Sequence, residues 1–339
     1  MQYRSIASAA VAISEIGFGC GGTAGLMVRG SAIEQRRVIE RALEAGVNYF
    51  DVAPDYGNGK AEENLGRVLR ELSVRPYITT KVEIRAENLA DVAGHVVRSA
   101  EASLRRLGVD YVDFLQIHNA PASAQPTQAE HAYAHLALDH YLGPGGALEG
   151  LERLKRDGKT RFLGFIVRGG DVDAVDLVLN TRMFHLVNAS YHLLNPTAGQ
   201  PAPYGMRVDV DWGQVIERAE QLGVGVAVYS PLANGLLTDT VLAGASAHPL
   251  SGSRLPRQAD YPKLVRRAQA LGFLAVHGLQ SLSQVAYRFV LMSTGVTTVL
   301  GGFSEMSHLE EALAAAQSGP LAREDLTRIE MVWRANFGL

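Results

Sequence analysis

A closed parallel (β/α)8 barrel is the fold this sequence predicts, and three observations predict it. A short apolar strand, a polar loop and an amphipathic helix follow one another eight times along the 339 residues. That alternation, in a chain of this length, is the pattern of a parallel sheet ringed by helices. Glycines fall where helices should stop, at Gly46, Gly108 and Gly158. A doubly wound open sheet competes, but the first strand lacks the Gly-rich dinucleotide fingerprint: ISEIGFGCGGTAG has too many glycines and no helix directly behind them.

Taken in order, Tyr3 to Ile13 reads as an N-terminal β-hairpin, Ile16 to Gly19 as the first strand and Ser31 to Ala45 as the first helix. The second unit is the strand Val47 to Val52 with helix Ala61 to Leu72. Tyr77 to Val82 with Leu89 to Leu107 makes the third, and Tyr111 to Ile117 with Ala147 to Arg156 the fourth. Arg161 to Val167 leads to Asp171 to Leu179, and His185 to Ser190 leads across a Pro-rich loop to Trp212 to Leu222. Gly223 to Tyr229 precedes a loop to about Asp260 and a helical Tyr261 to Met292. Gly295 to Leu300 and Ser307 to Ala316 form the eighth unit, and Arg323 to Ala335 is an extra C-terminal helix. The expected organisation is one barrel domain over 1–339.

Composition narrows the function classes. With 47% hydrophobic and 20% charged residues the chain has the make-up of a soluble globular protein with a large core. A net charge of -3 with scattered Lys and Arg offers no basic stripe for nucleic acid. The longest apolar runs, such as Gly223 to Val228, are too short to span a bilayer. Cys20 is the single cysteine, and MQYRSIASAAVAIS lacks the layout of a secretory signal, so a cytoplasmic protein is expected, monomeric or a small homo-oligomer.

A barrel of this kind builds its site from the C-terminal ends of its strands. The second strand ends in Asp51, the third near Lys81 and the fourth in His118, while Tyr56 hangs in the Pro, Asp, Gly and Asn rich loop after the second. Singly, Asp51 reads equally well as a loop cap and Tyr56 as turn filler. Together on one rim they make a proton-transfer set. A lysine ending an apolar strand needs a partner, and Asp51 on the neighbouring strand provides one. An ammonium beside a phenol favours the phenolate, so Lys81 would make Tyr56 a usable acid or base, with His118 hydrogen-bonding the same substrate oxygen. Proton transfer to an oxygen pairs naturally with hydride transfer to the adjoining carbon, for which a nicotinamide is suited.

The stretch NYFDVAPDYGNGKAEENLG, with Asp51, Tyr56, Glu62, Glu63 and Gly66 in fixed spacing, together with ITTKV, DYVDFLQIH and LKRDGKTRFLGF, resembles the aldo-keto reductase family over almost the whole chain. The resemblance implies a (β/α)8 barrel and hydride transfer from NADPH, less often NADH, without a metal. It implies that Tyr56 is the general acid or base, that Lys81 and Asp51 tune it, and that His118 orients the substrate carbonyl. YSPLANGLLTD is similar to the family segment that stacks on the nicotinamide and wraps the pyrophosphate, which implies cofactor contacts at Tyr229, Ser230, Pro231, Leu232 and Gly235. GGFSEMSHLEEALAA resembles the phosphate and adenine segment, which implies contacts at Gly302, Ser304, His308 and Glu311. The family's glutamine beside the carboxamide falls on Asn188.

Two departures stand out. Ile166 and Val167 occupy positions where the family commonly has Ser and Asn, so the carboxamide is expected to lose two side-chain partners. Cations that NADPH-preferring relatives often carry are replaced by Gly302, Phe303, Ser304 and His308, and the usual Asn by Ala312. NADP(H) is the family default and NAD(H) the close rival. The expected substrate is a small carbonyl or alcohol. The Gly-Pro-Gly-Gly helix entry at 143–146 resembles sugar and aldose dehydrogenase-like members, which points to a sugar-like polyol. Substrate recognition is expected from long loops carrying Met27, Arg29, His131, Tyr133, His135, His140 and Tyr141; His131 and His135 have no Glu between them in a metal-binding pattern. Two other functions fit the same residues: a redox-neutral lyase, epimerase or isomerase with a retained nicotinamide, and a non-catalytic cofactor-binding regulatory subunit.

Overall fold

The structure is a computed structural model that describes residues 1–125, 134–244, 261–276 and 279–339. Eight parallel strands close on themselves in chain order: β1 (Ile16–Gly19), β2 (Tyr49–Asp51), β3 (Tyr77–Val82), β4 (Val112–Ile117), β5 (Thr160–Ile166), β6 (Leu186–Ser190), β7 (Gly225–Tyr229) and β8 (Thr298–Gly302). The ring shuts where Val299 pairs with Ile16 and Gly302 with Gly19. Every residue of β2, β4 and β6 is buried, because helices cover the outside and side chains fill the inside.

The helices of the ring are α1 (Ala32–Glu44), α2 (Lys60–Glu71), α3 (Val92–Leu107), α4 (Ala147–Arg156), α5 (Val172–Asn180), α6 (Val215–Gln221), α7 (Leu282–Leu291) and α8 (Met306–Gln317), with α9 (Arg323–Arg334) trailing. Four of these starts follow from a side-chain cap the sequence supplies. The Ser31 hydroxyl accepts from Glu34 N while the Glu34 carboxylate accepts from Ser31 N, and Ser281 with Gln284 repeats the device on α7. Asp91 and Asp171 cap α3 and α5.

Two hydrophobic cores result. The larger lies between strands and helices and includes Phe18, Phe50, Leu115, Phe165 and Val187. The smaller sits inside the lower end of the barrel. There the hairpin Tyr3–Ile6 and Val11–Ser14 contributes Ile6, Val11 and Ile13 against Tyr49, Phe114 and Leu186. Arg4 anchors this hairpin by donating to the carbonyls of Leu291 at the end of α7 and of Ser293 and Val296 beyond it.

Where element boundaries differ from expectation, the causes are local. The predicted helix Trp212 to Leu222 starts only at Val215, because Gly213 and Gln214 adopt left-handed backbone, with φ 58° and 55°. The predicted Tyr261 to Met292 is two pieces, Tyr261–Gln269 and α7, separated by a 3-10 turn at Gly272–Leu274 and restarted by the Ser281 cap. After β4, Ala120–Ala122 pairs with His135–Ala137, a small ladder that periodicity did not reveal. Among the described residues no helix is long and apolar enough to cross a membrane.

Candidate active site

The loop that carries Tyr56 is shaped by the residues behind it. Gly57, Asn58 and Gly59 take φ of 64°, 53° and 87° in succession, a left-handed run that glycine and asparagine adopt at least cost. It turns the chain sharply from β2 into α2. The first turn of α2 is then pinned by Glu62, whose carboxylate is fully buried and accepts from Thr80 Oγ1 and Arg106 Nε, each at 2.6 Å. This motif glutamate is therefore a brace between α2, β3 and α3, which holds the Tyr56 turn over the barrel mouth.

At that mouth, strand register brings Asp51, Lys81 and His118 side by side, since β2 pairs with β3 and β3 with β4. Lys81 is 1% exposed. Its Nζ donates to Asp51 Oδ1 at 2.5 Å, to the Val52 carbonyl at 2.9 Å and to Tyr56 Oη at 3.4 Å. Three donors meet three acceptors, so the buried ammonium is fully satisfied. Burial alone would depress this lysine, but the charges of Asp51, Tyr56 and Asp55 outweigh it and its pKa is raised, which keeps it cationic. The His118 ring meets the Tyr56 ring edge-on, with centroids 6.1 Å apart. Burial lowers the His118 pKa, with Asp55 opposing at 3.4 Å from Nδ1 and Lys81 and Arg168 reinforcing the drop, so the imidazole is neutral at pH 7.

A second layer lies under these residues. Asp51 Oδ2 accepts from Asn188 Nδ2 at 3.1 Å, and Asn188 Oδ1 accepts from Gln116 Nε2 at 2.7 Å. A carboxylate can only accept, which fixes the orientation of both amides in turn. Gln116 on β4 reaches Asn188 on β6 by passing over β5 at Gly164, where a Cβ would lie 2.8 Å from Gln116 Cγ and 2.7 Å from the Leu186 carbonyl. Gly164 is thus required by this crossing.

All four rim residues line one cavity of about 840 Å3, within the range of small-molecule sites. So do Asn188, Tyr229, Ser230, Pro231, Leu232, Gly235, Gly302, Ser304, His308 and Glu311. Burial pushes the Tyr229 phenol up to about 12, and its Oη donates to the Val167 carbonyl at 2.9 Å, which fixes the ring. The loop after β7 is strained: Ser230, Ala233 and Asn234 have φ of 54°, 48° and 57°. At the far end α8 begins without a side-chain cap, so its first amides are open to an anion. Ser304 N donates to His308 Nδ1 at 3.4 Å, and Glu311 accepts from Ser281 Oγ. A cavity that runs from the Asp51, Lys81, Tyr56 and His118 cluster past a fixed aromatic ring to an uncapped helix start fits a nicotinamide dinucleotide.

Some expectations are redrawn. Of the two apolar replacements, only Ile166 lines the cavity; Val167 packs outward into the larger core and contributes its backbone, donating to the Asn188 carbonyl and accepting from Tyr229. Asn188 reaches the rim, but its amide is already joined to Asp51 and Gln116. Met27 is buried, and Arg29 turns back onto the carbonyls of Gly22, Thr23 and Ala24, so neither lines the cavity. Tyr141 is buried under the loop after β4 and donates to the Asn119 carbonyl, while His135 and His140 also lie away from the cavity lining. His131 and Tyr133 lie outside the described residues. Gln116 and Arg168 went unnoticed in the sequence, although a period of two from Phe114 through Gln116 to His118, and from Gly164 through Ile166 to Arg168, places both on the inner face.

Comparison with known proteins agrees with this geometry. The model of the Aldo/keto reductase family matches residues 15–334. L-galactose dehydrogenase of Arabidopsis thaliana is 27% identical over 341 residues, which cover 98% of this chain and 94% of the relative. A probable voltage-gated potassium channel subunit beta from the same plant is also 27% identical over 341 residues, covering 95% of this chain and 93% of its own. The holo form of an aldo-keto reductase from Bacillus halodurans shares the fold with a TM-score of 0.71 at 22% identity, covering 99% of this chain and 97% of that one. The chain belongs to the aldo/keto reductase family.

Proposed function

We propose that this protein is a nicotinamide-dependent oxidoreductase that interconverts a carbonyl and an alcohol on a small substrate, with Tyr56 as the general acid and base. The whole chain then acts as one catalytic unit with its site at the C-terminal rim. The observation that carries this reading is the fully satisfied, buried Lys81 ammonium 3.4 Å from Tyr56 Oη on the wall of the cavity.

A bound nicotinamide supplies or takes up the hydride at the reacting carbon. The chain's own residues handle the proton. In reduction Tyr56 gives its phenolic proton to the oxygen that becomes the hydroxyl, and the phenolate left behind is stabilised by the Lys81 ammonium. Asp51 and the Val52 carbonyl hold that ammonium in place, so no reorganisation is needed as charge develops. Neutral His118 hydrogen-bonds the same oxygen and adds no competing charge. In oxidation the phenolate recovers the proton from the alcohol. Burial of the lysine and imidazole excludes water and strengthens each of these interactions.

NADP(H) is the first choice of cofactor and NAD(H) the rival, since the α8 end offers backbone amides and few cations. A sugar-like polyol or aldose is the proposed substrate class, in keeping with the relative named L-galactose dehydrogenase. A second reading keeps the tetrad but makes the chemistry redox-neutral, as in an epimerase; the apolar Ile166 wall and the engaged Asn188 amide favour it. The hydrogen-bonded Asp51, Lys81 and Tyr56 on the cavity wall argue against a purely regulatory role.

Titration with NADPH and NADH, followed by a panel of aldoses, aldehydes and polyols, tests the proposal. Saturable binding of one dinucleotide and stoichiometric change in nicotinamide absorbance are expected. No binding of either would overturn it, and product without absorbance change would favour the redox-neutral reading.

A further inference from the structure

Among the described residues two arginines line the cavity, and they differ in one respect. Arg267 is 2% exposed and lies 3.4 Å from the Asp209 carboxylate, with a further bond to the Arg207 carbonyl. Arg168 has no such counter-ion: among the described residues no carboxylate pairs with it. Its Nη2 donates to the His118 carbonyl at 3.3 Å, and its Nε is buried without a hydrogen bond. The acids of the same cavity are engaged elsewhere. Asp51 holds Lys81, Asp239 accepts from Leu282 N, and Glu311 accepts from Ser281.

The position of this unpaired charge is specific. Arg168 follows Ile166 on the inner face as β5 leaves the barrel, and its charge adds to the lowering of His118 and opposes the burial that raises Tyr229. A guanidinium walled into a cavity is costly unless an anion meets it, and its planar fork matches carboxylate and phosphate oxygens. Nothing in the transfer of a hydride and a proton uses it.

We propose that Arg168 binds an anionic substituent of the substrate, a carboxylate or a phosphate, so that the carbonyl compound turned over carries a negative charge near its reacting carbon. This rests on the oxidoreductase reading for the word substrate, but the anion site itself does not. The residue also touches the His118 backbone, so a purely structural role must be separated from recognition.

The test has two arms on the full chain. In the first, malonate and inorganic phosphate are titrated into the dinucleotide-saturated protein and into protein without dinucleotide, by calorimetry, against matched ionic strength. Saturable binding to the wild type, weakening in Arg168→Lys and loss in Arg168→Met with unchanged circular dichroism, is expected; whichever anion binds identifies the source. Failure of dinucleotide binding with retained Arg168-dependent anion binding would sink the oxidoreductase reading and leave this inference standing. In the second arm, kcat/KM is compared for an aldehyde acid or sugar phosphate and its uncharged counterpart. The anionic compound should be favoured roughly 100-fold, and Arg168→Met should collapse that ratio through KM. Absence of anion binding in the wild type, equal binding in Arg168→Met, or an equal fall for charged and uncharged substrates would overturn the proposal.

Discussion

The barrel mouth has two walls of different character. The wall of β2, β3 and β4 is dense with polar groups: Lys81 joins Asp51 and Tyr56, the His118 ring meets Tyr56, and each carboxylate oxygen of Asp51 accepts a hydrogen bond. The wall of β5 and β6 presents Ile166 and an asparagine whose amide serves Asp51 and Gln116. One wall gathers the groups we propose to move a proton, while the other supports the first from behind. Asn188 is therefore better understood by what it holds than by what it faces.

Breaking the first wall should have the largest effect. Lys81→Met leaves Asp51 buried without its cation, and a loss of about 3–5 kcal/mol in urea unfolding is expected, together with loss of turnover. Tyr56→Phe should cut turnover about a hundredfold or more while the melting temperature stays near that of the wild type. A large drop in stability for Tyr56→Phe with turnover retained would show that the hydroxyl is a structural partner of Lys81 and not the acid.

Asn188→Ala tests whether the second wall supports the first. It strands Asp51 Oδ2 and Gln116 Nε2 in a buried layer, and a destabilisation of about 1–3 kcal/mol is expected in chemical unfolding. An unaltered midpoint would mean that the two walls are independent.

Acid provides a comparable probe without mutation. His192, just past β6, is pushed down to about 4 by burial, and His118 on the opposite wall is also lowered by burial. Both folded sites favour the neutral ring, so their contribution to stability is present above the unfolded histidine value near ~6.5 and is lost as pH falls toward the lowered folded values. Urea midpoints between pH 7 and pH 4 should decline by the equivalent of about 1–3 kcal/mol for His192 alone, and His192→Gln should flatten the decline. The smallest effect is expected from Ile166→Ser, which returns a hydroxyl to the second wall: dinucleotide binding should tighten a few-fold, in line with one hydrogen bond of about 1 kcal/mol.

How much of this was legible in the sequence depends on the range of the interaction. Asp51, Lys81 and His118 were readable because each lies at the end of a strand, and Tyr56 because it sits in the loop directly after one; strand ends of a barrel share a rim whatever the details of packing. The helix starts at Ser31 and Asp171 were readable from caps three residues long. Gln116 and Asn188 were not, because their contact crosses β5 and depends on Gly164 having no side chain, a relation between three separate strands. Ile166 and Val167 looked like equal departures, although the pleat sends one to the cavity and the other to the core. The sequence places Arg29 only on a loop near the pocket, and that loop's own carbonyls engage it.

The N-terminal hairpin has a consequence for traffic. With Ile6, Val11 and Ile13 packed into the lower end of the barrel and Arg4 tied across the chain beyond α7, the barrel is a cup with a sealed base. Two ligands sharing a cup cannot pass one another. Any ligand must enter and leave by the same mouth, so one lying deeper would arrive before, and depart after, one lying above it.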